Sequence, residues 1–156
     1  MPTVVRTVTT AAPLAAVWRY LTDFTTVTRW DPNTPDCRRV EGDGGVGTRY
    51  AITSVFRGRE THLEYTVTEL VPTRRFVLVG ENATVTVVEA MDLTARAEGG
   101  TQVGYRADFT FHGAARLATP FLRGALAGIA DDARRGMTAA LAALVADGPT
   151  GSSRRS

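Results

Sequence analysis

The chain has 156 residues, 44% hydrophobic and 22% charged, which suits one globular domain with a sizeable core. The formal net charge is only +2, and Arg154 and Arg155 at the end account for it, so no dense basic stripe exists to neutralise successive phosphates of a nucleic acid. No apolar stretch approaches the roughly 20 residues of a membrane span, and the N-terminus lacks the basic and apolar blocks of a secretory signal, so cytoplasmic residence is the expectation.

Residues 3–10, with Val4, Val5 and Val8, predict a first strand. Pro13 then suits the first turn of a helix, and Leu14, Val17, Trp18 and Leu21 recur at helical spacing until Asp23-Phe24. Residues 25–30 predict a second short helix, which Asp31-Pro32 stops because proline disfavours helical backbone in the residue before it. The period then changes to two, with strands expected over 36–41, 48–56, 59–70, 75–80, 83–97 and 102–111. Tyr50, Ile52 and Phe56 share one face, as do Leu63, Tyr65 and Val67. Glu98-Gly99-Gly100-Thr101 signals a hairpin before the clearest alternation, Val103, Tyr105, Ala107, Phe109 and Phe111. This pattern fits an antiparallel sheet with one covered face.

A long helix is expected from about residue 115 to 146, with Pro120 marking its first turn or a kink near its start. Its broad apolar stripe is read through Phe121, Leu122, Ala125, Leu126, Ile129, Ala133, Met137, Ala140 and Leu144. One domain over 1–147 and a disordered tail over 148–156 complete the reading. The class is α+β. A single long helix facing a strongly curved sheet tends to leave a cavity between them.

Several motifs stand in a familiar order: Pro13-x-x-x-Val17-Trp18-x-x-Leu21-Thr22-Asp23-Phe24, Trp30-Asp31-Pro32, Gly45-Val46-Gly47-Thr48-Arg49-Tyr50, and Gly99-Gly100-Thr101-Gln102-Val103-Gly104-Tyr105 followed by Phe111-x-Gly113. Leu117-Ala118-Thr119-Pro120-Phe121-Leu122 leads into the last helix. With these motifs the chain resembles the helix-grip fold of the START/SRPBCC superfamily, and most of all its polyketide cyclase/dehydrase-like branch. The resemblance implies a curved antiparallel sheet of about seven strands wrapped around the C-terminal helix, with two short helices after the first strand. It is specific for fold and not for activity, since members range from lipid carriers to cyclases.

Three functions follow as expectations. The first is binding of a small hydrophobic or aromatic molecule, without cofactor or metal, by a monomer or homodimer. The expected lining is Trp30 at the entrance, Tyr50, Ile52, Tyr65, Val67, Glu89, Tyr105 and Phe109 from the sheet, and Phe121, Ala125 and Ile129 from the last helix. The second is a cyclase or dehydratase in which Glu89 or Asp92 moves protons and a tyrosine, Tyr105, stabilises an enolate. Regular alternation puts Glu89 on the apolar face, whereas a bulge near Glu89-Ala90 would bring Asp92 inward. A carboxylate on that face would have a raised pKa. The third is an interaction module with a filled core.

Other motifs carry less. Gly42-Asp43-Gly44-Gly45-Val46-Gly47 matches a dinucleotide-binding pattern letter for letter, but a strand rather than a helix follows it, so it reads as a hairpin loop. Cys37 is the only cysteine and reads as a buried or half-buried strand residue. His62 falls on an outward parity, His112 at the junction between sheet and helix, and Asp132, to the side of the helix's apolar stripe, reads as a surface partner of Arg135 or of the neighbourhood of Arg123 rather than a cavity residue. The chain has no lysine, which excludes a Schiff base on a side-chain amine.

Overall fold

Strand alternation sets the architecture, seen in a computed structural model that describes residues 1–146. β1 (Thr3–Thr10) leads to α1 (Leu14–Thr22), a 3₁₀ turn (Phe24–Thr26) and α2 (Val27–Trp30). Six strands follow: β2 (Asp36–Glu41), β3 (Arg49–Phe56), β4 (Arg59–Val71), β5 (Arg75–Glu81), β6 (Val85–Ala95) and β7 (Thr101–Phe111). A second 3₁₀ segment (Gly113–Ala118) precedes α3 (Thr119–Ala146). The expected tail lies outside the described residues.

The strands form one 7-stranded sheet in the order β1-β7-β6-β5-β4-β3-β2, antiparallel throughout. The α1–α2 connection carries the chain from one edge of the sheet to the other. This is an α+β helix-grip fold. The 42–47 segment is the β2–β3 connection, with Gly42, Gly44 and Gly47 at positive φ, and a strand follows it. Register shifts occur in β2 between Arg39 and Glu41 and in β4 between Val67 and Glu69. β6 keeps an unbroken register with both neighbours, pairing Glu89 with Leu78 on one side and Ala107 on the other. The bulge that would turn Asp92 inward is therefore not formed.

The last helix differs from expectation in start and phase. Residues 113–118 are 3₁₀, and the α-helix begins at Thr119 so that Pro120 stands in the first turn, where its missing N–H leaves no helical bond unmade. The inner face runs through Leu122, Leu126, Ala130, Ala133, Met137 and Leu141. Phe121 is 79% exposed, because one residue along a helix is about 100° of rotation. Alanines at 125, 130, 133, 139, 140, 142 and 143 make the apolar stripe so broad that its centre is not defined by sequence.

Two contacts hold α3. The Arg6 guanidinium of β1 pairs with Asp131 at 2.7 Å and donates to the Ala127 carbonyl at 3.3 Å. At Gly136 the helix backbone passes so close to α2 that an added Cβ would overlap the carbonyl oxygen of Trp30. Gly128 faces open space instead. Gly136→Ala is expected to lower stability by about 1–3 kcal/mol through overpacking, and Gly128→Ala to raise it by up to about 1 kcal/mol through helix propensity. Urea denaturation of the two variants checks both signs.

Candidate functional site

A cavity of about 350 Å³ lies between the concave face of the sheet and α3. Period-two alternation supplies its sheet wall: Ile52 and Ser54 from β3, Thr61, Leu63 and Tyr65 from β4, Val85, Val87 and Glu89 from β6, and Tyr105, Phe109 and Phe111 from β7. Leu122, Leu126 and Ile129 of α3 form the opposite side, and Asp31, Asn33 and Thr34 follow α2 into the wall. Along β6 the lining changes from valine to acid, and the register sets Val85 against Phe111, Val87 against Phe109 and Glu89 against Ala107.

Glu89 is the polar centre. It is only 7% exposed, and the Tyr105 hydroxyl donates to its Oε1 at 2.5 Å. The Tyr65 phenol lies beside the same carboxyl group on the cavity wall. Burial pushes the Glu89 pKa up, the two phenols pull it down, and the charge of Asp31 raises it again. Burial and then the Glu89 carboxylate push both phenols well above their usual range, so they remain protonated donors. Tyr65 has room to lie here because its cross-strand partner is Gly80, where an added Cβ would overlap the phenol ring.

Asp31 adds a second acid to the wall. Its Oδ1 accepts the Asn33 N–H at 2.9 Å and its Oδ2 accepts the Thr34 hydroxyl at 2.7 Å. Burial raises its pKa, those bonds oppose the rise, and Asp132 adds to it. Sequence reading took Asp31 as a helix stop and as part of the Trp30-Asp31-Pro32 motif, not as a site residue, and did not name Asn33, Thr34, Ser54 or Thr61. The available signal was the polar run Asp31-Pro32-Asn33-Thr34 directly after Trp30, which marks an Asx turn without telling which way it faces.

Of the expected lining, Ile52, Tyr65, Glu89, Tyr105, Phe109 and Ile129 stand on the cavity wall. Five others do not. Tyr50 is buried edge-on against Phe24, with ring centroids 5.6 Å apart. Val67 is buried in the core beyond the cavity. Trp30 sits edge-on to Tyr105 at 6.2 Å, a packing anchor behind the wall rather than an entrance residue. Phe121 points to solvent and Ala125 is half-buried beside the inner face, both displaced by the helix phase. Asp92 is likewise placed outside: it is exposed, and the Arg75 Nη1 reaches both its oxygens at 2.8 Å.

The remaining reactive groups lie elsewhere. His62 is exposed beside Thr53, His112 bonds the Thr86 hydroxyl at 2.7 Å where β7 ends, and Asp132 pairs with Arg135. Burial and the acids at 36 and 23 push the half-buried Cys37 thiol up to about 12. Among the described residues, no three metal-ligating side chains cluster, and no helix is long and apolar enough to cross a membrane.

A seven-stranded sheet gripping one long helix around a lined cavity is the architecture of START-superfamily proteins. The chain belongs to the polyketide cyclase / dehydrase and lipid transport family, whose sequence profile matches residues 1–147. No curated protein matches it significantly in sequence. Among solved structures it is similar to the Zhui aromatase/cyclase from a Streptomyces species, with TM-score 0.80 and 18% identity, covering 94% of this chain and 98% of that one. It is also similar to a START superfamily protein from Mycobacterium smegmatis, with TM-score 0.77 and 11% identity, covering 91% and 98%. The di-domain ARO/CYC StfQ from the steffimycin biosynthetic pathway aligns with TM-score 0.71 and 15% identity, over 92% of this chain and 52% of that one. At these identities the likeness is one of fold.

The Glu89 shift has a stability consequence. A carboxyl whose folded pKa is raised contributes stability that is fully present below its unfolded pKa, about 4.3 for glutamate, and lost as pH rises through the folded value. Glu89→Gln cannot ionise, and its amide oxygen can still accept from Tyr105. The variant is expected to gain in melting temperature relative to wild type between pH 4 and pH 8. A gap that does not change with pH would show that Glu89 titrates normally.

Proposed function

We propose that the protein binds a small hydrophobic or aromatic molecule in the cavity between the sheet and α3. The observation that carries this reading is the cavity itself: mostly apolar walls around a few convergent polar groups, Glu89, Tyr65, Tyr105 and Asp31. A volume of about 350 Å³ falls within the usual range for small-molecule sites. Burial of apolar ligand surface would supply the affinity, at about 25 cal/mol per Å² before the costs of association, and the polar groups would set orientation. A filled interaction module would have no such void.

The contact between Glu89 and Tyr105 favours a second reading, proton-transfer chemistry of the cyclase or dehydratase kind on a molecule held in the same place. The name of the Streptomyces aromatase/cyclase points the same way. In that reading Glu89 takes or gives the proton, Tyr105 steadies a developing enolate, and the walls hold a flexible chain in a reactive shape. Glu89→Gln would then end turnover of a poly-β-ketone probe by far more than it weakens binding of that probe. Equal turnover by the variant would remove Glu89 from the chemistry.

The binding reading is tested with N-phenyl-1-naphthylamine, whose fluorescence rises in apolar surroundings. Wild type should bind it saturably. Ile129→Trp, which fills the cavity from α3, should weaken binding at least about tenfold by displacing the ligand from its buried volume, while the melting temperature stays level or rises. Unchanged binding by this variant would place the probe elsewhere.

A further inference from the structure

Among the described residues, the cavity wall carries two acids and no base. Asp31 and Glu89 both face it, while neither Arg nor His is among its lining residues and the sequence holds no Lys. Most of the sheet's arginines pair on its other face, and Arg6, which reaches α3 from β1, is taken by Asp131. Arg49 pairs with Glu41 and Glu64, Arg75 with Glu69 and Asp92, and Arg106 with Asp108. Among the described residues, Asp31 and Glu89 take part in none of the ion pairs. We propose that the ligand of this cavity is a hydrophobic amine, a cationic nitrogen on an aromatic or alicyclic body, with the nitrogen between Asp31 and Glu89. This inference rests on the ligand-binding reading above.

Three physical points lead there. Buried charges are ordinarily paired, because a carboxylate taken out of water without a counter-charge is costly. Glu89 is nearly enclosed, and its neighbours are neutral phenols, Tyr105, which donates to it, and Tyr65, neither of which cancels its charge. An ammonium would supply the missing charge and N–H donors for acceptor positions the phenols leave free. Burial raises both carboxyls, and the charge of Asp31 raises Glu89 further, so a cation between them relieves a strain that a neutral ligand leaves in place.

Anions are disfavoured by the same groups. A fatty-acid carboxylate or a phosphate would bring a third negative charge beside two acids with no cation in the wall. The rest of the lining suits the body of an amine. Phe109 and Phe111 stack nearly parallel, with centroids 6.4 Å apart and planes 10° apart, and Phe24 and Phe56 add further aromatic surface. Aromatic faces hold an apolar ring and also attract a nearby cation.

The test uses three compounds with one ring system, 2-naphthylmethylamine, 2-naphthalenemethanol and 2-naphthoic acid, titrated calorimetrically into the intact protein at pH 7. The amine should bind at least about tenfold more tightly than the alcohol, the difference between a charge-assisted and a neutral hydrogen bond, and the acid should not bind. Glu89→Gln and Asp31→Asn should each bring the amine-to-alcohol ratio toward one, while Asp92→Asn, on the outer face, should leave it as in wild type. An alcohol or acid that binds as tightly as the amine overturns the inference, as does a ratio insensitive to both inner acids. If N-phenyl-1-naphthylamine still binds, only the amine preference has failed. If it does not bind either, the ligand-binding reading has failed with it.

Discussion

The cavity exists because α3 is held at one side. Its fixed contacts are with β1, through Arg6 and Asp131, and with α2, where Gly136 lets the backbone meet the Trp30 carbonyl. From that anchorage the helix spans a concave sheet whose other strands curve away from it. Side chains from both sides then fill only part of the gap. Leu126 and Ile129 approach from the helix, and Ile52, Leu63 and Val87 from the sheet. Close packing is the norm for protein interiors, so a cavity of about 350 Å³ is a departure that follows from this anchorage.

The sheet then sorts charge. Successive residues of a strand face opposite sides, so on β3 to β7 one parity carries the arginine–carboxylate pairs into water and the other carries the lining, while Arg6 of β1 reaches α3 on the inner side. On β6 this puts Asp92 with Arg75 outside and Glu89 with two tyrosines inside, three positions apart. The two carboxylates have different surroundings, and burial raises the pKa of Glu89. Asp31 reaches the same interior by another route, the turn that follows α2, whose local hydrogen bonds fix its carboxyl before any long-range contact is considered.

Much of this was legible in the sequence, for physical reasons that differ by element. Strand parity is a strict period, so Tyr65, Glu89, Tyr105 and Phe109 could be assigned a face from alternation alone, and the hairpin at Gly99-Gly100 fixed where the last strand began. Helix phase is a softer signal. In α3 the abundance of alanine removed the contrast between faces, and Phe121 and Ala125 were drawn into a stripe that in fact centres on Leu122 and Leu126. Parity also says only that a residue faces inward, not whether it meets a void or another side chain. Tyr50 and Val67 face inward and are covered, Tyr50 by Phe24 of a 3₁₀ turn far away in sequence. Asp31 was the reverse case, an inward carboxylate in a segment with no period to read.

One feature of the interior bears on reactive molecules. The thiol of Cys37 is held protonated by burial and by the acids around it, with a pKa of about 12, and no side-chain amine exists anywhere in the chain. An enone, quinone or aldehyde passing through such a protein meets neither a thiolate to alkylate nor a lysine to condense with. Under the proposed binding reading, neither of these two routes would trap an electrophilic ligand on the chain.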